Sequence, residues 1–578
     1  MARTNDMTFK IAGEAGQGVE SSGAGFAQAL AQGGLHVFGL PDYMSRIRGG
    51  LNSFQVRVHE KPLYCHEKAV HVLLPLSLEA LETCQKELVP GGGVIYDQGL
   101  KVDPQTIIDG GRKAMPAPLV DIAKEHGERV MANTAALGAA AGVVEYSYDR
   151  LADVIHNNFA RKGGDVVAAN LRVARTAYLY AQEHYASDFE WKLESIPSAP
   201  KRMVMSGNQA FALGALAGGC RFVSAYPMTP GTSIIEWMAR HEKDFGVVTK
   251  HAEDEIAAVC MAIGANFVGA RAMTATSGGG FSLMVEALGL AGMAEVPLVI
   301  LEAQRGGPST GLPTRTEQSD LLFVLNASQG EFARLALAPG TVEECFECGW
   351  RAFNLAEKYQ TPVLVLSDEL LAASLRTVEV EDIDFDKVEI DRGKLLTDEE
   401  LDGMDEPYKR HRFTDDGISP RALPGHPNGV YAASSDEHDE FGHISEEMHN
   451  RRRMMEKRLA KLETARQEIE PPTRYGPAEA PWILVGWGST YGVLREVVDR
   501  LDGQARLVHF RDLWPFPAEA AAEALQGGKL AVVENNYTGQ FKRLLQSETC
   551  IRVDRSILRY DGRSFTPEDV LAQLKEGG

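Results

Sequence analysis

The sequence predicts an α/β protein that is built from several parallel-sheet domains. Short apolar runs alternate with longer amphipathic stretches along most of the 578 residues. This alternation is the pattern of β-α units that form a parallel sheet. A hydrophobic fraction of 44% fits a compact globular chain. The length is sufficient for roughly three or four domains of about 100–200 residues each.

Composition and charge narrow the class of protein. A net charge of −21 argues against a general binder of nucleic acid or of anionic membranes. The opening MARTNDMTFK is too polar for a secretory signal, and no apolar run reaches the roughly 18 residues of a membrane span. Seven scattered cysteines, an odd number, are typical of a reduced compartment. These features together predict a cytoplasmic protein.

The cysteine spacing gives little support for a metal or an iron–sulfur site on this chain. Cys345 and Cys348 form the one C-x-x-C, inside a stretch with helical periodicity. Two thiols on one helical turn are more often buried side chains than half of a metal site. The sequence has no ferredoxin-like run of cysteines either, so any cluster that serves this protein is expected on another chain.

The first predicted domain covers residues 1–190. A strand-like run leads into the glycine-rich turn GEAGQG, which precedes a helical stretch. Such a turn offers free N–H groups to a phosphate, and a nearby arginine would suit the same anion. The candidate residues for a nucleotide-containing ligand are Gly16, Gln17, Gly18 and Arg46. A tight strand-to-helix turn and a solvated basic loop are the alternatives.

The second predicted domain covers residues 200–380 and contains three polar features, each at the expected end of a strand. Thr229 lies in YPMTP, Glu255 lies in EDE, and Arg305 and Thr314 lie in RGGPSTGLPT. In open α/β sheets, ligands bind outside the carboxyl ends of the strands. We therefore expect the three features to converge on one pocket.

Three of these residues also have a purely structural explanation. Thr229 would hold a carboxylate, or it would only cap a helix that begins at Pro230. Arg305 suits bidentate carboxylate binding, or it is an exposed arginine at a strand end. An acid such as Glu255 is favoured at a helix start by the helix dipole alone.

The last two predicted regions differ in composition. Residues 381–475 are acidic and then basic, with loop-forming residues followed by one charged helix. We interpret them as a solvated excursion with a surface helix; the alternative is a segment that wraps a partner subunit. From residue 476 to 578 the α/β pattern returns and predicts a third compact domain of about 100 residues.

Taken together, the motifs resemble the 2-oxoacid:ferredoxin oxidoreductases. YPMTPGT is similar to that family's YPITPS/T signature, and EDEIAAVCMAIGA resembles its thiamine-activating glutamate helix. QRGGPSTGLPTRTEQSDL is similar to the substrate-binding segment of its α subunit. GEAGQGVESSG and RIRGGLNSFQVRV resemble its γ subunit, here fused ahead of α, and GWGSTYGVLREVVDRL resembles the transketolase C-terminal-like domain. Residues 200–380 would then be the pyrimidine-binding-type domain.

The resemblance implies a role for each candidate residue. Glu255 would be the catalytic glutamate, which bonds to N1′ of the aminopyrimidine ring of thiamine diphosphate and should therefore be buried. Thr229, Arg305 and Thr314 match family positions that bind the 2-oxoacid. The γ-like turn would approach coenzyme A.

One family motif is missing from the chain. The diphosphate-binding GDG…N pattern does not occur, because Asp416-Gly417 and Asp561-Gly562 lack the preceding glycine. The resemblance thus implies that Mg²⁺, the diphosphate and a 4Fe-4S cluster are bound by a β subunit. It implies further that ferredoxin takes the electrons, that the assembly is an (αβ)₂ heterotetramer, and that this chain is inactive alone.

The γ–α fusion with GGPSTGLPT looks most like the 2-oxoglutarate members, which interconvert 2-oxoglutarate plus coenzyme A with succinyl-CoA plus carbon dioxide, a reaction of the reductive tricarboxylic acid cycle. An enzyme for pyruvate or for many 2-oxoacids is the close alternative. A non-catalytic scaffold subunit is an alternative of another class. An NAD-dependent dehydrogenase is disfavoured, because neither the glycine spacing nor an acidic residue after the second strand fits it.

Overall fold

The computed structural model describes residues 3–45, 50–109 and 111–575. Its strands are β1 Arg3–Thr4, β2 Asp6–Glu14, β3 His36–Asp42, β4 Leu51–His59, β5 Val70–Pro75, β6 Leu88–Asp97, β7 Lys113–Ala117, β8 Trp191–Lys192, β9 Arg202–Ser206, β10 Phe222–Ala225, β11 Val248–His251, β12 Ala272–Thr276, β13 Leu298–Gln304, β14 Leu335–Leu337, β15 Pro362–Asp368, β16 Leu375–Glu379, β17 Thr473–Tyr475, β18 Trp482–Trp487, β19 Ala505–Phe510, β20 Asp512–Trp514, β21 Lys529–Glu534 and β22 Arg555–Leu558.

The α-helices are α1 Val19–Gln32, α2 Leu78–Cys84, α3 Pro104–Ile108, α4 Leu119–His126, α5 Ala132–Val143, α6 Tyr148–Phe159, α7 Gly164–Tyr185, α8 Gly207–Ala217, α9 Thr232–Arg240, α10 Glu242–Phe245, α11 Glu255–Phe267, α12 Gly278–Met293, α13 Leu321–Asn326, α14 Val342–Tyr359, α15 Glu369–Ala373, α16 Asp398–Asp402, α17 Met448–Ala465, α18 Thr490–Arg500, α19 Ala518–Ala524, α20 Gln540–Thr549 and α21 Pro567–Lys575. Within the described ranges, no helix has the length and apolar content needed to cross a membrane.

The chain divides into two compact units. The first comprises residues 1–206, 373–383 and 566–568, and the second comprises 207–372, 384–565 and 569–578. Both contain β-sheets flanked by helices, which confirms the predicted α/β class. The sheets of the second unit are mostly parallel, whereas the large sheet of the first unit is mixed: its strands β7-β6-β5-β2 pair parallel and β2-β4-β3-β16-β9 pair antiparallel.

The first unit is built on an eight-stranded sheet in the order β7-β6-β5-β2-β4-β3-β16-β9. Strand β2 is buried along seven consecutive residues because helices cover both faces of the sheet. Strands β9 and β16 pair antiparallel and extend the edge at β3, although the sequence-based boundaries assigned them to the second domain. The backbone hydrogen bonds that β16 makes with β3 and β9 place both strands in the first unit. The order of elements along the chain does not reveal this pairing.

The second unit contains a seven-stranded sheet in the order β11-β10-β12-β13-β15-β14-β20, parallel except for β20. A five-stranded sheet, β17-β19-β18-β21-β22, forms the C-terminal module that the sequence predicts from residue 476. One hydrophobic cluster includes residues of both sheets, such as Ile300 on β13, Trp487 on β18 and Phe541 on α20. The C-terminal module is therefore packed directly on the sheet that precedes it.

The charged excursion also packs on this unit. Its helix α17 is present as predicted, but Lys457, Arg458 and Lys461 on it are buried. The interpretation as a solvated surface helix is wrong for this face. The cause is a buried acid, Glu295, which lies between α12 and β13 and contacts both lysines. We call residues 384–470 the strap.

Candidate active site

The strands that precede the predicted site residues end at one edge of the second unit's sheet. Thr276 at the end of β12 is in register with Glu302 on β13, and Gln304 at the end of β13 is in register with Asp368 on β15. Because these strands are parallel, the loops that leave them emerge side by side. The site is built from those loops and from the helices that follow them.

Glu255 is the first residue of α11 and is 3% exposed. The helix start is fixed by Asp254, whose side chain accepts a hydrogen bond from the backbone N–H of Ala257 at 2.8 Å. Asp254 therefore caps α11, and the side chain of Glu255 is not needed as the N-cap. Its Oε1 atom is buried and has no hydrogen-bond partner in the described part of the chain. An orphaned carboxylate oxygen of this kind is unfavourable unless a ligand completes it.

The first turn of α12 lies against Glu255. A β-carbon built on Gly280 would come within 2.6 Å of Glu255 Oε1 and within 2.2 Å of Thr276 Oγ1. A β-carbon on Gly278 would come within 2.4 Å of Asp320 Oδ2. Side chains at these two positions would displace the carboxylates, so glycine is required by space. Ser277 occupies the N-cap position, yet its buried hydroxyl makes no hydrogen bond within the described ranges.

Thr229 and Arg305 are brought together. Nη1 of Arg305 donates to the backbone oxygen of Thr229 at 2.7 Å. The Thr229–Pro230 peptide is cis, and α9 begins only at Thr232, with Gly231 at its N-cap and no side-chain cap. The expectation that Thr229 caps a helix starting at Pro230 is therefore wrong, because the chain turns for two further residues before it becomes helical. Helix capping therefore does not explain the presence of a threonine at position 229.

Thr314 lies at the base of the loop that begins with Arg305. The backbone N–H of Gly306 donates to the oxygen of Arg315 at 3.1 Å, and that of Leu312 donates to the oxygen of Gly306 at 2.7 Å. The loop thus folds back on itself, and the backbone of Thr314 returns to the residue after Arg305. Thr314 is 9% exposed.

Three acids near Arg305 were not identified from the sequence. Burial, and then the neighbouring Asp320 and Asp368 carboxylates, raise the pKa of Glu302 well above its usual value. Burial also raises the pKa of Asp320 and of Asp368. No donor within the described residues reaches either oxygen of Glu302. These surroundings favour the protonated form of Glu302, which could donate to Asp320. An acid inside the apolar run PLVILEAQ was the available signal.

The glycine-rich turn of the first unit borders a cavity of about 630 Å³. Gly16 and Gln17 line it together with Lys124 and Arg129. Gly18 is the N-cap of α1, with φ of 71°, and a β-carbon there would lie 2.6 Å from Asn133 Nδ2. The two cations beside the glycine turn suit an anionic ligand, and two acids, Asp97 and Asp121, line the same cavity. Arg46 lies outside the described residues.

Comparison with known families identifies both units. Residues 213–457 match the family model for the thiamine diphosphate-binding part of pyruvate flavodoxin/ferredoxin oxidoreductase. Residues 8–180 match the model for pyruvate ferredoxin/flavodoxin oxidoreductase. The strand-end site therefore lies in a thiamine diphosphate-binding domain.

Similar proteins cover the whole chain. The α subunit of the 2-oxoacid:ferredoxin oxidoreductase of Sulfolobus sp. is 34% identical over 98% of this chain and 96% of its own length. The 2-oxoglutarate oxidoreductase subunit KorA of Mycobacterium tuberculosis is 31% identical over 98% and 91%. A 2-oxoglutarate:ferredoxin oxidoreductase from Magnetococcus marinus, solved with 2-oxoglutarate, coenzyme A and succinyl-CoA bound, has a TM-score of 0.92 and 35% identity over 99% of this chain and 100% of that one.

The fold and the site define a subunit of a thiamine diphosphate-dependent oxidoreductase. The chain belongs to the family of 2-oxoacid:ferredoxin oxidoreductase α subunits. The residues present fit the cofactor, because Glu255 offers a buried carboxylate oxygen that nothing else in the described chain bonds.

Proposed function

We propose that this chain is the catalytic α subunit of a 2-oxoglutarate:ferredoxin oxidoreductase. The reaction would convert 2-oxoglutarate, coenzyme A and two oxidised ferredoxins into succinyl-CoA, carbon dioxide, one proton and two reduced ferredoxins. The observation that carries the proposal is the orphaned carboxylate oxygen of Glu255, in the same unit as the contact of Arg305 with Thr229. The choice of 2-oxoglutarate is supported by the ligands of the Magnetococcus marinus relative and by the substrate named for the Mycobacterium tuberculosis one.

Arg305 would bind a carboxylate of the 2-oxoacid. Its one bond to the backbone oxygen of Thr229 leaves its other N–H groups without a hydrogen-bond partner in the described residues. Burial lowers the pKa of Arg305, and the neighbouring Asp320 is the largest of the effects that oppose this shift. A partly desolvated guanidinium with free N–H groups binds a carboxylate more strongly than a solvated one does. The hydroxyls of Thr229 and Thr314 would orient the same substrate.

Glu255 would hold the aminopyrimidine ring of thiamine diphosphate through N1′. When bound, that cofactor supplies a nucleophilic carbon and takes up the electrons that decarboxylation leaves behind. Glu255 would keep the proton at N1′ in place because its carboxylate is confined: Gly280 lies directly against it, and Thr276 packs against the same glycine. Its burial excludes water from that hydrogen bond.

The remaining parts would be distributed over this chain and a β subunit. The β subunit would bind Mg²⁺, the diphosphate and the 4Fe-4S cluster, and would pass electrons to ferredoxin in an (αβ)₂ assembly. Coenzyme A would be bound at the cavity next to Gly16, Gln17 and Gly18, with Lys124 and Arg129 facing its phosphates. Arg46 would contribute to the same anion site.

The test is purification of the chain with the subunits that co-elute, followed by reduction of ferredoxin or a redox dye with a panel of 2-oxoacids. We expect coenzyme A-dependent turnover with kcat/KM for 2-oxoglutarate at least tenfold above that for pyruvate. A preference for pyruvate or 2-oxobutyrate would overturn the substrate, and no turnover with any 2-oxoacid would overturn the activity.

A further inference from the structure

The substrate loop, which we define as residues 305–320, contains no helix and no regular strand. It begins after β13 and ends at α13. A binding group on a loop is only as well placed as the contacts that hold the loop.

One end of the substrate loop is held by the C-terminal module through Gln318, which is fully buried. Its backbone N–H donates to the oxygen of Asn535 at 2.7 Å, and its Oε1 accepts from the N–H of Asn535 at 3.0 Å. Its backbone oxygen accepts from Nδ2 of Asn536 at 3.0 Å, and its Nε2 donates to the oxygen of Trp487 at 3.0 Å. Both the side chain and the backbone of this residue are therefore bonded to the module.

Gln540, the first residue of α20, adds a second anchor. Its Nε2 donates to the oxygen of Ser319 at 2.5 Å, and its Oε1 accepts from the N–H of Leu322 at 2.9 Å. The amide of Gln540 thus bonds backbone on both sides of Asp320.

The anchors are themselves rigid. The buried carboxylate of Glu534 accepts from Nδ2 of Asn536 at 2.7 Å and from the N–H of Phe541 at 2.8 Å. This fixes the end of β21 to the start of α20, between which the anchoring residues lie.

The same end of the loop is also hydrogen-bonded to β13, the strand that directly precedes Arg305. The backbone N–H of Asp320 donates to Oε1 of Gln304 at 3.1 Å, and Nε2 of Gln304 donates to the oxygen of Ser367 at 3.1 Å. Gln304 directly precedes Arg305. The hydrogen bonds therefore run from the C-terminal module through Gln318 and Asp320 to the neighbour of the arginine.

We infer that the C-terminal module positions the substrate loop, and that Gln318, Asn536 and Gln540 are positioning residues for the 2-oxoacid. The matched family models end at residue 457 and give the module no role. The inference rests on the proposed function, since Arg305 and Thr314 are taken to bind the substrate. None of the three residues needs to touch the substrate itself.

The test uses Gln540→Ala in the enzyme purified with its partner subunits. Gln540 is only half-buried, so its loss should leave the fold intact. Because two hydrogen bonds to the loop are removed, we expect the KM of the 2-oxoacid to rise on the order of tenfold with kcat changed by less than about twofold. Gln540→Glu keeps the acceptor for Leu322 and should recover part of the loss. Asn326→Ala is the matched control, since it removes one amide bond at the exposed end of α13 and should change nothing.

Hydrogen exchange gives a readout that does not depend on activity. In Gln540→Ala, peptides covering 305–320 should exchange on the order of tenfold faster, while peptides covering α12 keep the wild-type rate. Gln318→Ala should show the same pattern more strongly. Unchanged exchange in the loop would overturn the positioning role even if the wild-type enzyme turned over no 2-oxoacid. Faster exchange with an unchanged KM would overturn the link to the substrate, and the same effects in Asn326→Ala would show that they are not specific to the anchor.

Discussion

Glu255 and Glu295 are two buried carboxylates at opposite ends of the same helix, α12, and their surroundings are opposite in kind. Glu255 lies beside the first turn of α12, and its Oε1 bonds nothing in the described chain. Glu295 follows the last turn and is contacted by Lys457 at 2.6 Å, Lys461 at 2.5 Å and His411 at 3.0 Å. Burial alone does not distinguish a catalytic acid from a structural one; the neighbours do.

Glu295, Lys457, Lys461 and His411 form a cluster in which the lysines balance the charge of the carboxylate. Burial by itself would raise the pKa of Glu295, but the two ammonium groups and His411 outweigh it and hold that pKa well below its usual value. Ligand atoms of Glu295, His411 and His438 lie within 4.8 Å of one another, the spacing of a metal site. Two lysines on the same carboxylate disfavour a dication there. Through these contacts the cluster holds the strap against the segment that precedes β13.

The largest effect on turnover is expected at Glu255, the acid whose Oε1 has no hydrogen-bond partner in the described chain. Glu255→Gln, assayed with the partner subunits, should lower kcat by about 10²-fold or more, which is typical of a lost acid–base group. The free energy of unfolding should not fall, because Oε1 of Glu255 makes no hydrogen bond within the described chain that the change would remove. Turnover assays and denaturant unfolding on the same preparation check both parts. Wild-type turnover would contradict the catalytic role and favour the scaffold alternative.

At Glu295, the acid paired with two lysines, we expect the reverse: a large effect on stability and a small effect on turnover. Glu295→Gln leaves two buried ammonium groups without their counter-charge, so the free energy of unfolding should fall by about 3–5 kcal/mol. The kcat per folded molecule should stay within about twofold of wild type. Denaturant unfolding and active-site-normalised turnover measure these quantities. A large loss of kcat with unchanged stability would mean that the two glutamates are not functionally different.

A smaller effect is expected at Glu302, which also lacks a donor but which we take to be neutral. Its pKa is raised from 4.5, so the folded state keeps a proton that the unfolded chain releases above that pH. Stability is therefore lost as pH rises from 4.5 towards the raised pKa. Glu302→Gln mimics the protonated acid, and its advantage in unfolding free energy should grow by up to about 1.4 kcal/mol per pH unit. Urea unfolding from pH 5 to 8 measures it; a pH-independent difference would show that Glu302 is ionised.

The sequence predicted the fold class and the elements that carry the site. Periodicity and glycine turns locate β12, β13 and α11, because local pattern determines them. The convergence of Thr229 and Arg305 followed from the rule that strand ends share an edge. The rest depends on distant contacts. The raised pKa of Glu302 and the anchoring of Gln318 by the C-terminal module are set by neighbours far apart in the chain.

The packing of the strap also depends on contacts that the local sequence does not reveal. Alternating charges in α17 are typical of a solvated face, yet Lys457 and Lys461 are buried against Glu295. Nothing in the sequence near α17 indicates that an acid 162 residues earlier would meet Lys457.

The three glycines that open α12 have one further consequence, in the balance between stability and activity. Each makes the helix less stable than alanine would, by about 1 kcal/mol. At Gly278 and Gly280 the chain has no choice, since a methyl group would strike Asp320 or Glu255. At Gly279 an alanine would meet only Ser309 and Met228, at 3.8 and 3.9 Å, and would fit. The protein forgoes a stabilising substitution that its own packing permits, as proteins do where open space serves activity rather than the fold.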